Sequence, residues 1–132
     1  MIVADTNVIT YLGIDSPYTT LAEQLLLEEP DWIVPRLWRS EFRNVLALYL
    51  RKTILTLDQA LQIQTEMEDF LRDREYEVTS LDVLRLASIS SCSAYDCEFV
   101  ALAKSFEIKM LTLDRKLARS FPETVNLLGS QS

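Results

Sequence analysis

Ile2-Val3-Ala4-Asp5-Thr6-Asn7 decides how the rest of the chain is read. Three consecutive apolar residues form a buried strand, and an aspartate stands where that strand ends. Ile108 to Asp114 repeats the arrangement: Met110-Leu111-Thr112-Leu113 is a strand and Asp114 follows it. Between the two, apolar runs of strand length alternate with helical periodicity. Helices are expected at 8–12 and 19–29, broken near Gly13 and Ser16-Pro17. Trp32-Ile33-Val34 is a second strand. Pro35 then falls in the first turn of a helix reaching about Lys52, where proline is tolerated. Thr56 caps a helix from about Leu57 to Asp73. Tyr76 to Thr79 is a third strand, followed by helices near 81–90 and from about Ala94 to Phe106. Ile108 to Leu113 is the fourth strand. Asp114 caps a short helix to Ser120, and Val125 to Leu128 is a fifth strand. Alternation of this kind predicts an α/β fold: a parallel sheet of about five strands flanked by helices on both faces. We expect one domain over residues 1–132, with 129–132 a frayed tail.

Composition narrows the chemistry. The 132 residues are 48% hydrophobic with two glycines and four prolines, enough for one compact core. No apolar run is long enough for a membrane span. Met1 to Asp5 lacks the basic and apolar regions of a signal peptide. A cytoplasmic protein is therefore expected, with Cys92 and Cys97 as reduced thiols. Histidine is absent, which excludes His-dependent triads, His metal sites and a His general base. Hydrolysis would have to run on carboxylates, hydroxyls, Lys, Cys or a bound metal. The net charge of −7 argues against binding nucleic acid through bulk positive charge. Yet cations are concentrated at 36–52 and 104–119, while 58–77 is acidic. A phosphate backbone could use the two basic segments; the competing reading is solvated helix faces.

Four acids stand among apolar neighbours. On a helix at 36–51, Leu37, Trp38, Phe42, Val45, Leu46, Leu48 and Tyr49 cover one arc at 100° per residue. Glu41 falls inside it, whereas Arg39 and Arg43 point away. On the helix at 94–106, Tyr95, Phe99, Val100, Leu102, Ala103 and Phe106 form the arc, with Asp96 in its middle and Glu98 outside. A bare buried carboxylate costs roughly several kcal/mol, so each needs a proton, a partner or a metal. The structural alternatives are ordinary: Ser93 and Asp96 fit a capping box, and Asp5 and Asp114 fit helix N-caps. The combination says more. Strand-end positions are where open parallel sheets bind ligands. Four carboxylates converging there repel by about 4 kcal/mol per close pair at an effective dielectric of 20. Divalent cations relieve that repulsion, and oxygen-only ligands suit Mg²⁺ or Mn²⁺.

The chain resembles the PIN-domain family. The resemblance rests on Val3-Ala4-Asp5-Thr6-Asn7, on Ser40-Glu41 with Asn44-Val45-Leu46, on Ala94-Tyr95-Asp96 through Val100-Ala101-Leu102-Ala103, and on Leu111-Thr112-Leu113-Asp114. Their order and spacing span nearly the whole chain. It implies a Rossmann-like sheet and a Mg²⁺- or Mn²⁺-dependent ribonuclease, with Asp5, Glu41, Asp96 and Asp114 as catalytic and metal-binding acids. Thr6, Asn7 and Thr112 match supporting positions. Free-standing PIN domains of this length are often toxins of VapBC-type toxin–antitoxin pairs, which implies a small antitoxin partner bringing a cation toward the carboxylates. A homodimer is expected from the general frequency of dimers. Arg36, Arg115, Lys116 and Arg119 are candidate RNA phosphate contacts. Cys97, directly after Asp96, stands where a small inert residue would be ordinary. Other readings are a PIN nuclease in RNA processing, a PIN-like binding module without catalysis, and a response-regulator receiver domain. The last needs an Asp ending the third strand and a Lys ending the fifth, and neither is in place.

Overall fold

The computed structural model describes residues 1–129. The elements follow in the order β1 (Ile2–Ala4), α1 (Thr6–Gly13), α2 (Thr19–Glu28), β2 (Trp32–Pro35), α3 (Trp38–Arg51), α4 (Leu57–Phe70), β3 (Glu75–Tyr76), α5 (Ser80–Ser88), α6 (Ala94–Phe106), β4 (Met110–Thr112), α7 (Arg115–Ser120) and β5 (Val125–Leu127). The strands form one five-stranded sheet in the order β3-β2-β1-β4-β5, and every pairing is parallel. Val3 stands opposite Ile33 on one side and Met110 on the other. The α/β class and the parallel sheet with flanking helices are thus as the sequence predicts. No helix among the described residues is long and apolar enough to cross a membrane.

The topology places the functional end. The chain moves from β1 outward to β2 and β3, then returns to the other side of β1 for β4 and β5. The strand order therefore reverses between β1 and β4, and a parallel sheet opens a crevice beyond the strand ends at such a point. Burial explains why the central strands are so short and apolar: Val3, Ala4, Ile33, Val34 and Met110 have no exposed surface. Helices on both faces seal them. α6 buries Cys97, Phe99, Val100, Ala101, Leu102 and Ala103. α3 buries Trp38, Phe42 and Leu46 at helical spacing, and the rings of Trp38 and Phe42 lie 6.0 Å apart.

Several boundaries differ from expectation for local reasons. Pro35 closes β2 instead of opening a helix. Val34 and Arg36 donate their N–H groups toward β3, so the missing donor of Pro35 faces the β1 side, where β1 has already left the sheet. β3 covers Glu75–Tyr76 and stops early, because Thr79 turns out to accept the Asp82 N–H and cap α5. α4 carries the expected Thr56 cap, completed by Gln59 as a capping box, but ends at Phe70. Asp73 adopts φ 63°, which no α-helix continues through. Leu48 and Tyr95, counted inward by periodicity, are exposed at 45% and 63%; Leu48 lies near the margin of its arc, and Tyr95 stands in the first turn of α6. Gly129 takes φ 86°; the remainder of the expected tail, 130–132, lies outside the described residues.

Arg39 was expected to point away from the core. It does so, and finds partners there: its Nε and Nη2 form a fork on Glu75 at 2.6 and 2.8 Å, and Nη1 reaches Glu68 at 3.0 Å. The Trp38 indole N–H adds a bond to the same Glu75 carboxylate at 2.7 Å. This network ties α3, which carries Glu41, to edge strand β3 and to α4. The Arg39 side chain is partly exposed while that of Glu75 is nearly buried, so removing the guanidinium strands a carboxylate. Arg39→Ala should cost about 2–3 kcal/mol, below the range for fully buried pairs because solvent screens part of the loss. A urea midpoint unchanged in the variant would contradict this account.

Candidate functional site

Asp5, Glu41, Asp96 and Asp114 line one cleft of about 470 Å³ together with Thr6, Asn7, Thr10, Tyr11, Asn44 and Tyr49. Each acid arrives on a different element, and each element's local chemistry explains its position. Asp5 is the N-cap of α1; its Oδ1 accepts the Thr6 N–H at 2.8 Å. Asp114 is the N-cap of α7; its Oδ1 accepts the N–H groups of Lys116 and Leu117 at 2.9 and 3.2 Å. Ser93 caps α6 through the Asp96 backbone N–H at 3.0 Å. The capping alternative raised from the sequence is therefore true at the backbone of residue 96, while its side chain lines the cleft. Glu41 lies in the first turn of α3.

A hydroxyl and amide network joins these pieces. Thr6 Oγ1 donates to Glu41 Oε1 at 2.7 Å, linking the end of β1 to α3. Thr112 Oγ1 donates to Asp5 Oδ2 at 2.7 Å and accepts the Asp114 N–H at 3.0 Å, linking β1 to β4 and α7. Asn7 contributes Nδ2 to Thr112 Oγ1 at 3.2 Å and to Asp5 Oδ2 at 3.4 Å, and its Oδ1 accepts the Leu113 N–H at 3.1 Å. All three residues expected to support the acids lie within this network.

The electrostatics are those of negative charge held out of water. Burial pushes the Asp5 carboxyl up to about 7, against the Thr112 and Thr6 hydrogen bonds and with added repulsion from Asp96 and Glu41. Burial also raises Glu41, opposed by the Thr6 bond and reinforced by the charges of Asp96 and Glu98. Asp96 is raised by burial and then by Asp114. No Lys or Arg lines this cleft. Among the described residues, no three acidic or Cys side chains close on a single point as they stand; the acids ring the cleft at some separation.

The expected phosphate contacts are dispersed. The Lys116 charge acts on Asp96, and its Nζ donates to the Ser91 carbonyl at 3.0 Å. Arg115 and Arg119 line a separate groove with Pro122, Val125 and Asn126. Arg36 lines another cleft, with Tyr76, Ser80 and Glu98. Sequence reasoning missed Thr10, Tyr11 and Tyr49 as cleft residues, and it placed Glu98 outside the apolar arc, where it is half-buried. Helical spacing carried a signal: Thr10 and Tyr11 are one turn beyond Thr6 and Asn7, and Asn44 is one turn beyond Glu41. Cys97 is fully buried and its thiol is raised by burial, as suits a packed, unreactive side chain.

Comparison with known proteins bears on the family and the fold. The family model described as PIN domain matches residues 2–120. Ribonuclease VapC3 of Pyrobaculum aerophilum is 30% identical over 127 residues, covering 94% of this chain and 97% of that protein. The crystal structure of FitAcB from Neisseria gonorrhoeae superimposes with a TM-score of 0.74 at 19% identity, covering 95% of this chain and 96% of that one. The crystal structure of PAE2754 from Pyrobaculum aerophilum also gives 0.74, at 18% identity, covering 94% and 81%.

Proposed function

Since the chain belongs to the PIN-domain family, we propose that it is a Mg²⁺- or Mn²⁺-dependent endoribonuclease acting as the toxin of a VapBC-type toxin–antitoxin pair. The observation that carries this reading is the gathering of Asp5, Glu41, Asp96 and Asp114 in one cleft, at the point where the strand order reverses, with no cation in its lining.

The donor set fits the ion. All four acids offer oxygen, and there is no histidine in the sequence to favour a softer metal. Mg²⁺ keeps several of its waters and takes one or two carboxylates directly. A ring of separated acids suits that habit better than a tight cage does. Asp5, Glu41, Asp96 and Asp114 would hold it. When bound, such an ion neutralises the carboxylates, makes water acidic enough to attack phosphorus and stabilises the leaving oxygen.

The chain's own residues do the positioning. Asp5 is fixed at both oxygens, by Thr6 N–H and by the Thr112 hydroxyl. Glu41 is aimed by Thr6. Asn7 holds the Thr112 hydroxyl and the Leu113 backbone together, so β1 and β4 keep their spacing at the crevice. Lys116, beside Asp96, is the best placed of the basic residues to meet a phosphate near the acids; Arg36, Arg115 and Arg119 would act further along the strand. The partner would be a small antitoxin that places an Arg or Lys among the carboxylates, where charge-assisted hydrogen bonds compete with the metal. Self-association as a homodimer completes the reading.

Incubation with RNA in Mg²⁺ or Mn²⁺, against EDTA, tests the chemistry. Water attacking phosphorus leaves 5′-phosphate and 3′-hydroxyl ends and needs no ribose 2′-hydroxyl. End-labelling of the fragments should show those termini and no cleavage in EDTA. Fragments with 2′,3′-cyclic phosphates from EDTA-resistant digestion would rule the mechanism out.

A further inference from the structure

A second cleft lies next to the acidic one. It occupies about 330 Å³ beyond the carboxyl ends of β2 and β3, lined by Arg36, Tyr76, Val78, Ser80, Val83 and Glu98 among others. Arg36 directly follows β2, and its N–H bonds to the Tyr76 carbonyl at 3.3 Å, so the arginine backbone is fixed against the end of β3. The Tyr76 ring is held in turn by an edge-on contact with Phe106, 4.9 Å between centroids. Val78 and Val83 supply apolar walls. Glu98 follows Asp96 by two residues on α6, about 200° around the helix. Asp96 lines the acidic cleft and Glu98 the second one, and Glu41 is close enough to feel both charges. The two clefts are therefore neighbours, with Glu41 between them.

The cleft holds one arginine and two carboxylates, Glu98 and Glu77; the Arg36 charge acts on Glu75 and that of Glu98 on Glu41. Among the described residues, neither the Arg36 guanidinium nor the Glu98 carboxylate makes a side-chain hydrogen bond or ion pair, although both line the same small space. A fork of donors and a pair of acceptors, separated by a gap with aromatic and aliphatic walls, calls for a flat ligand carrying acceptors on one edge and donors on the adjacent one. Guanine has that pattern: O6 and N7 accept from an arginine fork, and N1–H and N2–H₂ donate to a carboxylate. Adenine keeps only the N7 acceptor of that pattern. Its N7 still accepts from the guanidinium, but its N6 amine stands where O6 would accept, and its N1 lone pair faces the carboxylate, which is left without a donor. Splayed, unstacked bases read on their edges and packed on aromatic rings are the usual mode for single-stranded RNA.

We propose that this cleft is a guanine-reading subsite, with Glu98 and Arg36 as specificity-determining residues for a base close to the phosphate placed in the acidic cleft. The assignment rests on RNA being the substrate, as proposed above, but its first test does not need cleavage. The intact chain is titrated with 5′-GMP, 5′-AMP and 5′-IMP in EDTA and followed by backbone amide shifts. 5′-GMP should move the amides of Arg36, Tyr76 and Glu98 and bind about 10–100-fold more tightly than 5′-AMP. 5′-IMP, which lacks only the N2 amine, should fall between them. Glu98→Gln should remove most of that preference while its remaining amide spectrum matches the parent, and Arg36→Ala should do the same from the other edge. Equal affinity for 5′-GMP and 5′-AMP, shifts located elsewhere, or an unchanged preference in Glu98→Gln overturns the subsite. A second arm reads cleavage in Mg²⁺ of oligoribonucleotides that differ at one base. Efficient cleavage indifferent to guanine would remove the subsite and leave the nuclease standing. Guanine-selective binding with no cleavage of any RNA would do the reverse.

Discussion

Asp96→Asn should lower metal-dependent RNA cleavage about 10²–10³-fold, the range found when one electrostatic contributor is removed from a preorganised site. The substitution isolates charge from structure. Ser93 caps α6 through the backbone N–H of residue 96, so the cap survives, and Asn fills nearly the same volume as Asp. The half-buried carboxylate also accepts from the Ser93 hydroxyl, a bond the Asn side-chain oxygen can keep, and the loss is therefore read at the cleft and not as unfolding. Expressed without a partner in a bacterial host, the parent chain should arrest growth and the variant should not; a cognate antitoxin, supplied together with the parent, should restore growth. Two results would sink the reading: a variant that cleaves at the parental rate in limiting Mg²⁺, or a folded parent as harmless as its variant in its native host. The second removes only the toxin role and leaves an RNA-processing nuclease.

The sequence made the acids visible because their surroundings were wrong for acids. Glu41 and Asp96 interrupt apolar arcs, and Asp5 and Asp114 end apolar strands; no more than local pattern was needed to see either. The same pattern could not decide between capping and lining a site, and in the structure Asp5 and Asp114 do both. Each uses backbone N–H groups to start a helix and also lines the cleft. Pro35 was misplaced because its tolerance depends on where the neighbouring strand stops, a tertiary fact. The partners of Arg39 were not legible because a long cation outside an apolar arc has two fates, solvent or a partner from another element, and Glu75 and Glu68 are 36 and 29 residues away. Tyr95 and Leu48 were overcounted because an apolar arc on one helix does not reveal how wide its neighbours are. Glu98 escaped notice for a different reason. Its second cleft is built from the ends of β2 and β3 and from α5 and α6, and no single stretch of sequence contains it.

In metal-free buffer the chain should lose stability as pH rises from about 4 to about 7, the reverse of a protein held together by paired carboxylates. The sign follows from Asp5. Burial above all lifts its carboxyl from 3.8 to about 7 in the folded state. Below the unfolded value both states are protonated and the site carries no penalty. Between the two values the unfolded chain releases its proton and the folded chain keeps it, so each step upward in pH favours unfolding; above about 7 the penalty is complete. At 1.36 kcal/mol per pH unit this amounts to roughly 4 kcal/mol, on the order of 10 °C in Tm for a chain of this size. Glu41 and Asp96 are raised as well and act in the same direction. Glu75 works in a separate window: Arg39 holds it below its ordinary value, so its contribution is present above about 4.5 and is lost as pH falls through the folded value. A divalent cation held by the ionised acids, as proposed, should stabilise little at pH 5 and most at pH 8, flattening the decline. Asp5→Asn should remove most of the decline in EDTA and most of the gain on adding Mg²⁺. Thermal denaturation at pH 5, 6, 7 and 8, with EDTA and with Mg²⁺, reads all four quantities. A Tm in EDTA that stays level or rises across that range, together with a Mg²⁺ effect independent of pH, would mean that burial does not hold the Asp5 carboxyl protonated in the folded chain and that the cation does not bind the ionised acids.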